Sequence, residues 1–504
     1  MKNTVQFAFL LCAFGFPIAV IGGDNWSKYI PEFNAADEEL YSCDISNAEA
    51  ETFLRENAPA FECSDAEIER VYHFRWWTFR KHLRKTPDGW IVTEFLPDVK
   101  WAGKHNAIVC AAGHHFMEGR WLRDRSYLAD YARFWFDVET EDKSHLYSSW
   151  LATGIDAAAK VSGDWSVAQA LLDRFVRHYR RWETSPFIRL GFPMGGDGKG
   201  LFTSTDNNEG TEMSLSGHGY RPLFNSAQWS EAKTIARLAR KARQRNLADE
   251  FEMKARRIED GMFRRLWNDR RKFFTAEVKG RISDVRELHG YAPWYFGMKL
   301  DKYDEAWSPL LSKDGFAGAY GLSFPERSAS GFRLSYTGHE CQWNGPSWPF
   351  ATSIALSALR NRLQQDRKLA SVSAEDFAKL LHQYAAAHYL NRGDGTRISW
   401  IDENLNPDTG DWMSRTIILN SLDLIKAYPR ERGKDYNHST FCDLVITGYV
   451  GLIPSDDNKV EVKPLGTSAD YFRLSNVLYH GRMIAIQWDR TGGKYGVKGL
   501  KVIK

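Results

Sequence analysis

Six cysteines among 504 residues are too few and too scattered for a disulfide framework. Cys12 falls in the apolar N-terminal run, after residues too bulky for a lipoprotein site. Cys43, Cys63, Cys110, Cys341 and Cys442 are odd in number and widely spaced, which leaves room for one bridge, Cys43–Cys63 for instance. An excess of one charge is also missing. The net charge is +3, with Lys and Arg scattered among Asp and Glu, which excludes a nucleic-acid polyanion as the main partner. There is no G-x-S-x-G elbow, no G-x-x-x-x-G-K-[ST] loop and no dinucleotide fingerprint. His114 and His115 are adjacent and lack the H-x-x-x-H spacing or a nearby Cys set, so zinc is not indicated, and no metal or cofactor is expected. Low-complexity tracts, Pro-rich linkers and short repeats are absent too, which favours one compact body over a helical solenoid.

What the chain has in abundance is aromatic surface: 19 Trp, 21 Tyr and 30 Phe. Some must fill a core. Many Trp stand beside polar residues, a mixture that suits sugars, whose C–H faces stack on rings while their hydroxyls take hydrogen bonds. The N-terminus reads as a secretory signal over residues 1–23, with Lys2 ahead of the apolar run Val5 to Ile21 and a Gly22–Gly23 end. A single membrane anchor is the alternative, because the run is about the minimum length for spanning. A secreted or periplasmic protein is expected, with no membrane span once the signal is removed. Asn25 and Asn437 open glycosylation sequons that matter only in a eukaryotic host.

Residues 24–62 read as an irregular acidic segment, and helical periodicity dominates 63–445. Val167, Leu171, Leu172, Phe175, Val176 and Tyr179 recur at helical spacing, as do Ala232, Ile235, Ala236 and Ala239. Ser373 with Asp376 three residues on marks an N-cap. Some ten to twelve such segments are separated by long Gly-, Asn- and Trp-rich loops, the pattern of an α/α toroid whose loops build a cleft. From 446 to 504 the texture turns to alternation in "NKVEVKPL", "GRMIAIQWD" and "GVKGLKVIK", which predicts a small antiparallel β cap.

Two acid-bearing loops stand about 190 residues apart. "DNNEGTEMSLSG" carries Asp206, Glu209 and Glu212; it lacks the spacing of an EF-hand calcium loop. "RISWIDENLNPDTGDWMS" carries Trp400, Asp402 and Glu403 on turn chemistry that leads into a helix near Trp412. Glycoside hydrolysis needs two carboxyl groups flanking one bond, one to protonate the leaving oxygen and one to activate water or attack the anomeric carbon. A third stretch, "HECQWNGPSWPFATS", offers Trp343, Asn344 and Trp348 for a sugar subsite at a helix N-terminus with Pro in its first turn. A fourth, from Phe74 to Asp124, offers Arg75, Trp76, Trp77, Trp101, Lys104, His105, Arg120 and Trp121 as stacking and hydroxyl-binding groups, some of them claimed by core packing.

"WNGPSWPFATS" resembles the W-x-G-P-x-W-P element of (α/α)6-barrel glycoside hydrolases, the group of trehalases, processing α-glucosidases and mannosylglycerate hydrolases. "EGTEMS" is similar to that group's E-S-G-W-D-x-S motif, with Glu in place of Asp and Thr in place of Trp, and "DENLNPDTGDW" is similar to its E-x-Y-x-P-x-T-G loop. "GTEMSLSGHGYRP" and "YNHSTFCDLVITGYVGLIP" look closer still to a bacterial mannosylglycerate-hydrolase-like subgroup. The resemblance implies an inverting, exo-acting glycosidase on oligosaccharide or polysaccharide, with Glu212 as general acid and Glu403 as general base. Asp206, Glu209 and Asp402 are the reserve carboxylates, and Tyr220 and Arg221 are further substrate-binding candidates. Two other readings remain open on the sequence: a polysaccharide lyase using Tyr220, His218 and Arg221, and a non-catalytic carbohydrate-binding protein.

Overall fold

The computed structural model describes residues 25–184, 187–189, 192–365 and 367–504; the expected signal at 1–23 lies outside the described residues. The molecule is mainly α-helical, with short strands between the helices and a longer sheet built from both ends of the described chain. The periodic stretches form helices. Ala232–Ala239 lies in Pro222–Lys241, whose long axis packs against Arg245–Arg265. Ser373 and Asp376 close a reciprocal capping box on Ala374–Ala386, with bonds of 2.9 and 3.2 Å. Pro349–Leu363 begins with the expected Pro and is buried on nearly all sides. Its Ala and Ser positions let neighbouring helices approach on every face, as in a helix central to the fold.

The 24–62 segment departs from expectation. It forms the helices Trp26–Ala36 and Ala50–Asn57 and the strand Ala60–Cys63. Trp26, Tyr29, Ile30 and Phe33 give the first helix an apolar stripe at three- and four-residue spacing, buried against Ala66–Lys81. The strand Ala60–Cys63 is one edge of a four-stranded antiparallel sheet, followed by Tyr471–Tyr479, Arg482–Asp489 and Gly499–Ile503. Ala60 pairs with Ser475 and Phe472 with Trp488, so the alternation read in the C-terminal sequence is real, but one strand comes from the other end.

No disulfide forms among the described residues: Cys43 and Cys63 are both free, the latter donating to the Asp65 carbonyl at 3.0 Å. No group of three His, Cys, Asp or Glu among the described residues could hold a metal ion, and no helix there is long and apolar enough to cross a membrane.

Candidate active site

The acid loop is the connection of a β-hairpin. Phe202–Ser204 pairs with Gly219–Tyr220 in register Thr203↔Tyr220 and Ser204↔Gly219, so the loop starts and ends at fixed points. Within it, the Asp206 carboxylate accepts from the Asn207 amide at 2.7 Å and its carbonyl accepts from Thr211 N at 2.9 Å. Gly210 (φ +63°) and Met213 (φ +66°) take left-handed conformations on either side of Glu212. A side chain on Gly210 would meet Cys110 Sγ at 2.9 Å. Gly210→Ala is therefore expected to cost about 1–2 kcal/mol from the left-handed backbone alone, read as a lower urea midpoint, and to lower turnover by displacing Glu212.

Glu209 anchors this loop to the start of Pro222–Lys241. It accepts from Arg221 Nε at 2.7 Å and from the Phe224 amide at 3.1 Å, fully buried. Burial would raise its pKa, but Arg221 and His289 outweigh that and hold it below the usual value.

The second loop is stitched to the first through "WNGPSWP". Trp343 N donates to the Glu212 carbonyl at 3.1 Å, and Ser347 and Leu405 exchange two 2.9 Å backbone bonds. Asn404 Nδ2 reaches the Glu340 carbonyl at 3.0 Å. The "NPDTG" turn folds on the Asn406 carbonyl and side chain, with Gly410 at φ +75°. Asp402 accepts from the Glu403 amide at 2.8 Å and from Ser414 Oγ at 3.0 Å, fixing Glu403 from behind.

These loops, with those before Ala112–Gly119 and Cys442–Leu444, enclose a cavity of about 270 Å³. Glu212 and Glu403 both line it, with Trp101, Trp343 and Trp348. The Trp343 and Trp348 rings stack 3.9 Å apart at 8° and are almost fully buried, so they floor the cavity more than they present a face to it. Cys341 Sγ donates to Glu212 Oε2 at 3.1 Å, and burial pushes the Glu212 carboxyl above its usual pKa. Glu403 is pushed up to about 7 by burial, against the pull of Arg432 and with help from Asp402, Glu340 and Glu212.

Several cavity residues carry no sequence motif. Arg432 bridges two carboxylates, Glu403 at 2.7 Å and Glu340 at 3.0 Å, with its guanidinium between the rings of Tyr428 (4.3 Å), Phe95 and Trp101 (5.6 Å each). Burial disfavours the Glu340 charge, yet Arg432 holds it below the ordinary carboxylate value. Glu94 is buried and pushed up to about 8, first by burial and then, against the Tyr436 hydroxyl that donates to it, by Glu403 and Glu212. Its Oε2 has no partner among the described residues, nor has either ring nitrogen of His438, kept neutral by burial. Both residues line the cavity and can bond substrate hydroxyls. The only advance signal was position: Glu340 stands inside "HECQWNGPSWP", and Tyr436 and His438 inside "YNHSTFC".

The other candidates lie elsewhere. Arg75 is buried on Ser439 and His388, Trp76 is core, and Trp77 donates to Asn34 at 2.8 Å. Lys104 and His105 pair with Asp88 at 2.6 and 2.7 Å, away from the cavity. Arg120 and Trp121 share Asp443. Tyr220 donates to Asp197 at 3.1 Å beneath Arg265. Arg221 serves Glu209, Asn344 is buried outside the lining, and Trp400 packs behind Asp402. Asp206 faces His218 at 3.3 Å. Of the reserve carboxylates none lines the cavity, and neither do the three residues of the lyase reading.

Residues 104–439 match the family described as the mannosylglycerate hydrolase MGH1-like glycoside hydrolase domain. The chain belongs to that family. The resemblance of its motifs to the (α/α)6 glycoside hydrolase group holds. A solved structure described as a sialidase is similar to this MGH1-like chain with 33% identity and a TM-score of 0.85. The match covers 95% of this chain and 43% of that one, so the chain spans less than half the length of that relative. A family 78 rhamnosidase from Bacillus sp. GL1 is similar at 13% identity and TM-score 0.54, over 86% of this chain and 40% of its own, a likeness of fold.

Proposed function

We propose that this protein is an exported, exo-acting glycosidase that removes a terminal sugar from a polysaccharide-derived oligosaccharide with inversion. The observation that carries the reading is the delivery of Glu212 and Glu403, about 190 residues apart in sequence, into one cavity by two interlocked loops. In this reading Glu212, whose pKa is raised by burial, protonates the glycosidic oxygen as the bond to the anomeric carbon breaks. Glu403, kept ionisable by Arg432, takes a proton from the attacking water. An inverting pair leaves room for that water, with carboxyl groups roughly 6.5–9.5 Å apart. The cavity lies near the lower end of ordinary ligand pockets, ~300–1,000 Å³, which suits one sugar ring and hence exo action.

The helices of 63–445 would form the (α/α)6 toroid and residues 446–504 the cap, joined by the Ala60–Cys63 strand, with 1–23 as the export signal. The family and the sialidase likeness support a carbohydrate substrate. A panel of nitrophenyl glycosides and oligosaccharides, with the first-formed anomer followed by NMR, tests the proposal. Turnover with an initial product of opposite anomeric configuration is expected. Retained configuration would refute inversion, and binding without turnover across the panel would refute the enzyme.

The buried carboxyls predict a pH effect that does not require substrate. Glu94 has an ordinary pKa of 4.5 and a folded value of about 8. Its contribution is fully present below about 4.5 and is lost as pH rises through about 8. Glu94→Gln keeps an acceptor for Tyr436 and removes the charge. Its unfolding free energy, from urea titration, should fall less than that of the wild type between pH 5 and 8.5, by a difference on the order of a few kcal/mol.

A further inference from the structure

A second cavity, of about 510 Å³, shares no lining residue with the catalytic one. It follows Leu151–Ser162 from Trp150 to Lys160 and Pro222–Lys241 from Trp229 to Arg240, and opens beside Leu452, Ile453 and Pro454. Its lining is strongly basic: Arg120, Lys160, Lys233, Arg237, Arg240 and Arg360, against Asp156 as the one acid.

Ion pairs compensate this charge only in part. Arg120 and Arg360 converge on the single buried carboxylate of Asp443, at 2.6 and 3.3 Å. Lys233 and Arg240 share Glu252 at 2.6 and 3.0 Å. Lys160 and Arg237 share Asp156, and Arg237 and Lys241 share Asp456. Seven cations thus stand against four carboxylates. Glu231, which accepts from the Ala152 and Thr153 amides and is pushed up to about 7 by burial, supplies at most one more.

A simpler account is that cations in last turns complement helix dipoles, as Lys160, Arg240 and Arg360 do on their own helices. About half a charge at each C-terminus offsets only part of the excess, and it does not explain a cavity of this size. Gathering cations around a recess is unfavourable unless an anion offsets them. Burial and the nearby Arg120 already hold the Lys160 ammonium below its usual pKa. Tyr295, which also lines the cavity, has a hydroxyl with no hydrogen-bond partner among the described residues.

We propose that this cavity binds an oxyanion of the phosphate or sulfate class, free or carried on a small molecule. Guanidinium forks, ammonium groups and a phenol hydroxyl line one cavity, and a tetrahedral oxyanion with several acceptor oxygens can take bonds from several such donors where chloride cannot match their geometry. The proposal does not rest on the catalytic reading, since no residue lines both cavities.

Isothermal titration of the full chain with potassium phosphate, potassium sulfate and potassium chloride at equal ionic strength tests it, with glucose 6-phosphate and glucose as further arms. Saturable one-to-one binding of phosphate or sulfate is expected, at least tenfold tighter than chloride. It should weaken at least tenfold in Lys160→Gln/Arg237→Gln, with glycosidase turnover unchanged. Glucose 6-phosphate binding more tightly than phosphate would assign a carried group, and equal binding a free ion. If that double variant does not fold, Lys233→Gln/Arg240→Gln, at the more exposed rim, gives the same readout. Phosphate and sulfate binding no tighter than chloride, or unchanged in the folded double variants, would overturn the proposal.

Discussion

Glu212→Gln and Glu403→Gln should each lower kcat by roughly 10²–10⁴-fold, the usual contribution of a positioned acid or base. The two losses should differ in their dependence on the leaving group. Glu212 protonates the departing oxygen, so its loss is expected to be severe on a sugar–sugar bond and mild on a nitrophenyl glycoside, whose phenolate leaves without help. Glu403 acts on water, so its loss should be similar on both. Steady-state kinetics with the two substrate types checks this. If both variants turn over like the wild type, these are not the catalytic carboxyls; if the leaving-group pattern is reversed, the two roles are exchanged. Gln preserves the size and one acceptor of each side chain, so the fold should persist.

Arg432→Met should have the largest effect on stability. Arg432 is buried between Glu340 and Glu403 and against three rings, so its removal leaves two buried carboxylates facing each other. Breaking such a pair costs about 3–5 kcal/mol, which urea unfolding at pH 7.5 would read. The sign with pH is specific. Without the guanidinium both carboxyl pKa values rise, so each is neutral over a wider acid range. The defect should shrink below about pH 5 and grow as pH rises through and beyond the present Glu403 value of about 7. A defect of equal size at pH 5 and 8 would mean that Arg432 matters for packing alone. In activity, the acid limb of the kcat profile should move to higher pH, because the base would need a higher pH to ionise.

The site was legible in the sequence where it is made of loops with unusual chemistry. "DNNEGTEMS", "WNGPSWP" and "DENLNPDTG" combine turn formers with acids or Trp, and these loops supply Glu212, Trp343, Trp348 and Glu403 to the cavity. Trp76, Trp77, Trp121 and Trp400 were indistinguishable from sugar-stacking rings in sequence, because a Trp filling the core also stands among polar neighbours. Arg75, Arg120 and Arg221 misled for a related reason: their charges serve buried partners, Ser439 and Asp443 from distant segments for the first two and Glu209 of the adjoining acid loop for the third. Glu94 and Arg432 were missed because each is an ordinary charged residue until folding removes its water. The helical periods held well. The N-terminal helix and strand escape a reading from sequence because Pro31 interrupts the helical pattern and the strand is only four residues long.

The pairing of Ala60–Cys63 with Tyr471–Tyr479 also bears on how the chain is made. During synthesis the first strand emerges more than 400 residues before its partner. The helices between them can collapse as they leave the ribosome, but that strand has to wait with its ladder groups unpaired. Its shortness, four residues, limits the template it offers to other chains. Final closure is therefore a late, long-range step, slow by the general cost of joining distant segments. A nascent chain halted before residue 471 should be captured by chaperones through this exposed edge, whereas the finished chain should not.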